Sequence, residues 1–234
     1  MMHERGLGRL AAWAGDVAAF VLPQRCPGCG AAASPARLLC DGCRAAIPRV
    51  SFALCARCLA RGQARSGCKA HPGHAVWAAW LYDERASRVV HALKYQGRRG
   101  LAAGLAFELA RVVPPAPRMD LVLAVPLHSA RRRERGYNQA GLLAEALAGA
   151  IGVPRLEGAV ERVRDTRPQA RLDPRARRAN VAGAFRVKDP DRLEGRNVLL
   201  VDDVITTGAT FEACLEALGR AGARAAGVAL AWAQ

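Results

Sequence analysis

Seven of the eight cysteines in the chain fall between Cys26 and Cys68, and they come in tight pairs. CPGC supplies Cys26 and Cys29, CDGC supplies Cys40 and Cys43, CARC supplies Cys55 and Cys58, and CKAH supplies Cys68 with His71. A two-residue gap lets one turn present both side chains to a single tetrahedral ion about 2.3 Å away, and two such turns complete a zinc site. The pairs thus predict two zinc ions, one held by Cys26, Cys29, Cys40 and Cys43 and the other by Cys55, Cys58, Cys68 and His71. His74 is an alternative eighth ligand, although the gap favours His71, and spacing does not decide whether the pairs are used in order or interleaved. Disulfides compete with this reading; the tight pairing and the lack of a secretory signal argue against them. The segment is poor in large apolar side chains, so metal would supply most of its folding free energy. Four protein ligands close each site, which makes the ions structural and leaves the segment open as scaffold or as binding module.

From about Val76 the pattern changes to alternating strands and helices. AVWAAWLYD, LVLAVPL, NVLLVDDV and ARAAGVALAWA read as strands, whereas ASRVVHALKYQG, GLAAGLAFELARVV, NQAGLLAEALAGAIG and TFEACLEALGRAG read as helices. Alternation of this kind predicts an α/β fold, a mostly parallel sheet with helices on both faces. Ahead of the cysteines, Leu10, Trp13, Val17, Phe20 and Val21 fall at helical spacing. The expected organisation is an amphipathic N-terminal helix over 1–24, a small zinc-ribbon-like domain over 25–75 and the α/β domain over 76–234. Arg9 and Asp16 interrupt the only apolar run that could be a targeting segment. No signal peptide and no stable membrane span is read, so a cytoplasmic protein is expected.

The formal net charge of +15 resembles a nucleic-acid signature, but Lys occurs only at 69, 94 and 188, so 32 of the 35 basic residues are Arg. Such a bias arises from genome composition as readily as from function. An anionic ligand is therefore inferred only where Arg residues cluster around a motif.

The stretch VLLVDDVITTGAT, from Val198 to Thr210, is such a motif. In a parallel sheet, ligands sit beyond the carboxyl ends of the strands, where Asp202 and Asp203 lie. The turn that follows leads into a helix. Its amides, with the hydroxyls of Thr206, Thr207 and Thr210 and the close approach permitted by Gly208, make a cradle for phosphate. Carboxylates repel phosphate, so the two acids must serve sugar hydroxyls or a hydrated Mg²⁺. A phosphate, a diol and magnesium side by side describe a ribose 5-phosphate.

The same stretch resembles the phosphoribosyl pyrophosphate (PRPP) signature of type I phosphoribosyltransferases. Together with the cysteine pairs, LKYQG (Leu93 to Gly97), VPLHSARRRERGYNQA (Val125 to Ala140) and TRPQARLDPRARRANVAGAF (Thr166 to Phe185), it is similar to the ComF family of competence-associated proteins, GntX-like members included. That family places a zinc ribbon before a type I phosphoribosyltransferase domain. The resemblance implies that Asp202 and Asp203 bind the ribose hydroxyls and that Val204, Thr206, Thr207, Gly208, Ala209 and Thr210 complete the PRPP site. It implies a pyrophosphate loop with Pro126, Leu127, Arg135, Gly136, Asn138 and Gln139, in which Arg135 takes a catalytic share with the two acids by neutralising the leaving group. Arg131, Arg132 and Arg133 would serve there or form a solvated face. Thr166, Gln169, Leu172, Arg178 and Asn180 match a flexible loop that closes over substrate in related enzymes. His71 departs from the family's usual Cys and remains a good zinc ligand.

Lys94, one of only three lysines, suggests a compact ammonium set at a phosphate oxygen. His91 and His128 read equally well as structural or catalytic, and Cys214 as a small core residue. The leading expectation is an enzyme that binds PRPP with Mg²⁺ and transfers the phosphoribosyl group to an unidentified acceptor. The alternative is a non-catalytic protein that holds single-stranded DNA during uptake, although the sequence shows no interleaved aromatic and basic platform. A third reading makes the ribbon a docking module for a competence helicase or uptake protein. The oligomeric state is not legible.

Overall fold

A computed structural model describes residues 24–33, 38–59, 68–114, 117–164 and 181–234. The amphipathic segment, apart from residue 24, and the whole matched part of the flexible-loop motif, Thr166 to Asn180, lie outside the described residues. The elements run α1 (Asp41–Ala46), β1 (Ala53–Cys55), β2 (Ala75–Leu81), α2 (Glu84–Tyr95), α3 (Leu101–Ala110), β3 (Leu121–Ala124), α4 (Ser129–Arg135), α5 (Gln139–Ile151), β4 (Val160–Arg162), β5 (Phe185–Val187), β6 (Asn197–Ile205), α6 (Ala209–Arg220) and β7 (Arg224–Trp232).

One sheet of five strands, ordered β1-β2-β7-β6-β3, organises the chain. Strands β2, β7, β6 and β3 are parallel, with Leu200 of β6 opposite Gly227 of β7 and Leu123 of β3. A parallel sheet is covered on both faces, so its strands are apolar along both rows of side chains. Along β6, Val198 and Leu200 join one apolar cluster with Phe211, Cys214, Leu215 and Leu218 of α6. The alternate residues Leu199 and Val201 join a second cluster with Leu93 of α2, Leu105 of α3 and Leu147 of α5. Gly227 is required on the α6 face, because a Cβ there would sit 2.7 Å from the ring of Phe211.

Helix boundaries follow local chemistry. The Asp83 carboxylate accepts from the Ala86 amide at 2.8 Å and starts α2, and Asn138 does the same for α5 through the Ala140 amide. Gly152, in the left-handed conformation, ends α5. A two-stranded antiparallel pair, β4 with β5, lies outside the main sheet.

The cysteine-rich segment is built into this sheet. Strand β1, just ahead of the CARC turn, pairs antiparallel with β2, Cys55 opposite Ala75. On the opposite face, Leu39, Cys43 and Ile47 join the cluster of α2, α3 and α5. Glu108 of α3, 1% exposed, fixes this docking. Its Oε1 accepts from Arg44 Nε at 3.0 Å, and its Oε2 accepts from Arg49 Nη1 at 2.8 Å. Burial opposes ionisation of Glu108, but the hydrogen bonds and charges of Arg49 and Arg44 overcome it and hold the carboxyl below its ordinary range.

Two outcomes are expected at this joint. Glu108→Gln removes a charge from two charge-assisted hydrogen bonds and should lower unfolding stability by about 2 to 3 kcal/mol near pH 7, measured by denaturant titration. A carboxyl whose folded pKa is depressed stabilises above its unfolded value and loses that contribution as pH falls through the folded value. The difference between wild type and variant should therefore hold from neutrality down to about pH 4.5 and shrink below it; a difference that grows on acidification would refute the assignment.

Candidate functional site

Each pair of cysteine turns closes on its neighbour in sequence order. The ligand atoms of Cys26, Cys29, Cys40 and Cys43 lie within 4.8 Å of one another, and so do those of Cys55, Cys58, Cys68 and His71. In the first group the Cys29 and Cys40 sulfurs are 3.6 Å apart. In the second, Cys58 Sγ is 3.7 Å from Cys68 Sγ, and His71 Nδ1 is 3.6 Å from the sulfurs of both Cys55 and Cys68. A tetrahedral zinc with bonds of about 2.3 Å holds its ligand sulfurs about 3.8 Å apart, so both cages fit the ion, and all eight cysteines are free thiols. His74 belongs to neither cage; its Nδ1 lies 3.1 Å from the carbonyl oxygen of Pro72.

The two cages sit on opposite faces of the sheet, Cys26 and Cys43 in the cluster with α2, α3 and α5, and Ala56 of the second knuckle in the cluster with α6. The second is therefore next to the turn that follows β6. Gly208, with φ of 76°, begins α6 and contributes no side-chain cap of its own, and amides at such a helix start suit an anionic acceptor. A Cβ on Gly208 would lie 2.0 Å from the carbonyl oxygen of Ala56. Thr206 is exposed, Thr207 and Thr210 are half-buried, and Ala209 is buried.

Asp202 and Asp203 lie near the carboxyl end of β6 and are buried, with 9% and 3% exposure. Asp202 Oδ1 accepts from the Asp203 amide at 2.8 Å. Lys94, from the last turn of α2, places Nζ 2.9 Å from Asp203 Oδ2. Its ammonium, expected at a phosphate oxygen, thus rests on a carboxylate. Burial works to deprotonate Lys94, and the charge of Asp203 more than offsets it, so the amine titrates above its ordinary value. Burial and then the charge of Asp203 push Asp202 up to about 8, with Lys94 opposing.

The segment after β3 forms the other wall. Pro126 and Leu127 leave the sheet, and His128 starts α4 by accepting from the Ala130 amide at 3.3 Å, a structural role. Gly136 ends α4 in the left-handed conformation. Tyr137, buried, donates to the carbonyl of Leu93 at 2.5 Å, and Asn138 Nδ2 donates to the carbonyl of Val125 at 3.0 Å. These two bonds tie the RGYNQ turn to the ends of α2 and β3. Arg135 donates to Gln139 Oε1 and lies over the ring of Tyr95, 5.0 Å from its centre. Arg99 covers Tyr137 at 4.5 Å.

Lys94, Tyr95, Arg99, Arg131, Glu134, Arg135 and Tyr137 line a cavity of about 650 Å³. Sequence reasoning placed Tyr137 in the RGYNQ motif but missed Tyr95, Arg99 and Glu134 as lining groups. The signal was the adjacency of LKYQGRR and RGYNQ, two Tyr-Arg motifs that meet only in the fold. Arg132 lines a different cavity, with Pro126, Leu127 and Arg155, and Arg133 is exposed on α4. Cys214, fully buried in α6, packs in the core. Among the described residues no helix is long and apolar enough to cross a membrane.

Comparison with known proteins adds an independent line. Residues 109–234 match the phosphoribosyl transferase domain, and residues 17–70 match the double zinc ribbon domain. The chain is 34% identical over 197 residues to the DNA utilization protein YhgH of Salmonella typhi, covering 79% of this chain and 86% of that protein. It is 32% identical over 207 residues to YhgH of Escherichia coli K12, covering 86% of each. It is also 32% identical over 200 residues to Competence protein F of Haemophilus influenzae, covering 79% of this chain and 85% of that protein. With both domains in the same order and relatives aligned over most of their length, the chain belongs to the ComF family, in which a double zinc ribbon precedes a phosphoribosyltransferase domain.

Proposed function

We propose that the protein binds PRPP with Mg²⁺ and transfers its phosphoribosyl group to an acceptor nucleophile. One observation carries this reading: the buried Asp202 and Asp203, a few residues ahead of the glycine turn at Thr206–Thr210, pair through Lys94 with the rim of a basic cavity. The turn amides and threonine hydroxyls would take the 5-phosphate, and the two carboxylates would accept hydrogen bonds from the ribose hydroxyls. Lys94, Arg99, Arg131 and Arg135 supply the charge that a departing pyrophosphate needs as it leaves C1 with the bonding electron pair. The acceptor then forms its bond to C1 from the other side of the sugar.

Two buried carboxylates offer the hard oxygen donors that Mg²⁺ prefers, and Asp202 and Asp203 would hold it through water. When bound, the ion would supply further neutralisation of the pyrophosphate. The protein's own part is to orient the sugar and present fixed cations.

A second reading is favoured by the surface itself. Tyr95 is 64% exposed, lies 4.9 Å from His91, and is covered by Arg135, and relatives carry the names DNA utilization protein and Competence protein F. This rim would contact single-stranded DNA by stacking and charge, with an affinity that falls steeply with salt.

Calorimetric titration of PRPP into zinc-loaded protein should show binding that requires Mg²⁺ and weakens by about tenfold or more in Asp202→Asn/Asp203→Asn, since two carboxyl acceptors are lost at about 0.5 to 1.5 kcal/mol each. Wild type that ignores PRPP with and without Mg²⁺ would overturn the reading. In the same titration with pyrophosphate, Arg135→Ala should lose about tenfold in affinity, whereas Arg133→Ala, outside the cavity, should stay within about twofold. Equal losses for the two would indicate unspecific charge attraction.

A further inference from the structure

Three contacts join the second metal knuckle to α6, and they are spaced four residues apart along the helix. A Cβ on Gly208 would fall 2.0 Å from the carbonyl oxygen of Ala56. Arg57 Nε lies 3.5 Å from Glu212 Oε1, and His74 Nε2 lies 4.0 Å from Glu216 Oε1. Positions 208, 212 and 216 share one helix face, so the knuckle lies along α6 beginning at the glycine that caps its start. Ala56 has no exposure and belongs to the apolar cluster that holds Ala209, Phe211 and Ile205. Its amide donates to the His74 carbonyl at 2.8 Å, which ties the CARC turn to the strand that carries the metal cage into the sheet.

We infer that the cage of Cys55, Cys58, Cys68 and His71 is a positioning element for the phosphate turn, and that its metal occupancy sets the conformation of residues 206–210. Gly208 has a left-handed backbone and lies so close to the Ala56 carbonyl that no Cβ fits between them, so a shift of that carbonyl acts directly on the turn. Ala56 lies between Cys55 and Cys58, and the geometry of that stretch is imposed by whatever ion the two sulfurs share. The first cage has no such role; Cys26 and Cys43 pack against the helices of the other face. Metal and phosphate thus become coupled ligands, each favouring the arrangement the other needs.

Hydrogen exchange at the turn tests the positioning directly, and PRPP affinity tests its use, which rests on the function proposed above. Zinc content, amide exchange over 205–212 and PRPP titration should be measured on wild type, His71→Ala, His71→Cys and Cys29→Ser. His71→Ala should lose one zinc and speed exchange of the turn by about tenfold or more, within the range of ordinary coupling energies. His71→Cys, which rebuilds a four-thiolate cage, should restore the metal and the protection. Cys29→Ser should lose the other zinc and leave the turn within about twofold of wild type. If His71→Ala and Cys29→Ser alter the turn equally, or the turn stays protected without the second zinc, the inference fails. A turn that loosens as expected in a protein that ignores PRPP would uphold the inference and sink the function.

Should His71→Ala fail to fold, reciprocity supplies the second measurement. Gly208→Ala in fully zinc-loaded protein pushes on Ala56, so one zinc should pass to a colorimetric chelator about tenfold faster while the other leaves at the wild-type rate. Release of both at wild-type rates would overturn the coupling.

Discussion

The ion pair of Lys94 with Asp203 is the point on which the functional end of the molecule converges. Asp203 closes the buried run of β6, and Lys94 lies in the last turn of α2, so a 2.9 Å contact joins that strand to that helix. A buried carboxylate next to a second one cannot remain charged without a cation nearby, and the raised titration of Asp202 is the residue of that conflict. The Tyr137 hydroxyl on the Leu93 carbonyl then secures the end of α2 from the other side. Without that arrangement, the basic cavity and the glycine turn at residues 206–210 would have no common reference frame.

Local patterns were readable where local physics decides. The apolar run of β6 with its acids, the Asp83 and Asn138 caps and the glycine at 152 follow from residue types at short range. The cysteine spacing was equally informative, because ligand geometry is a short-range constraint. What could not be read depends on separation. Nothing in LAFELA marks Glu108 as a buried acid, since its partners Arg44 and Arg49 lie about sixty residues earlier and their approach is set by packing. Lys94 attracted notice for its rarity, yet its partner is on a strand over a hundred residues on. Strand β1 is too short for periodicity to reveal, and the β4 and β5 pairing was hidden by the long polar stretch between its strands.

The ribbon segment is best understood as part of the α/β body's construction. It adds an antiparallel strand to an otherwise parallel sheet and presents Arg44 and Arg49 to Glu108 on one face. It lays a metal knuckle against α6 on the other. An edge strand exposes unpaired backbone groups, and β1 covers the β2 edge with a short segment that metal ligands bend away from the sheet. Metal chemistry here substitutes for the apolar core that so small a segment cannot assemble.

The strand order has a consequence for how the chain is made. Strand β7, last in sequence, lies between β2 and β6, so neither half of the sheet can join the other until residues 224–232 are available. During synthesis the ribbon and β2 emerge early, yet β2 has only β1 to pair with for the next 140 or so residues, a long interval for an apolar strand. The metal-bound ribbon, by holding β1 against β2 over that time, gives the growing polypeptide a guarded edge until β7 arrives to close the sheet.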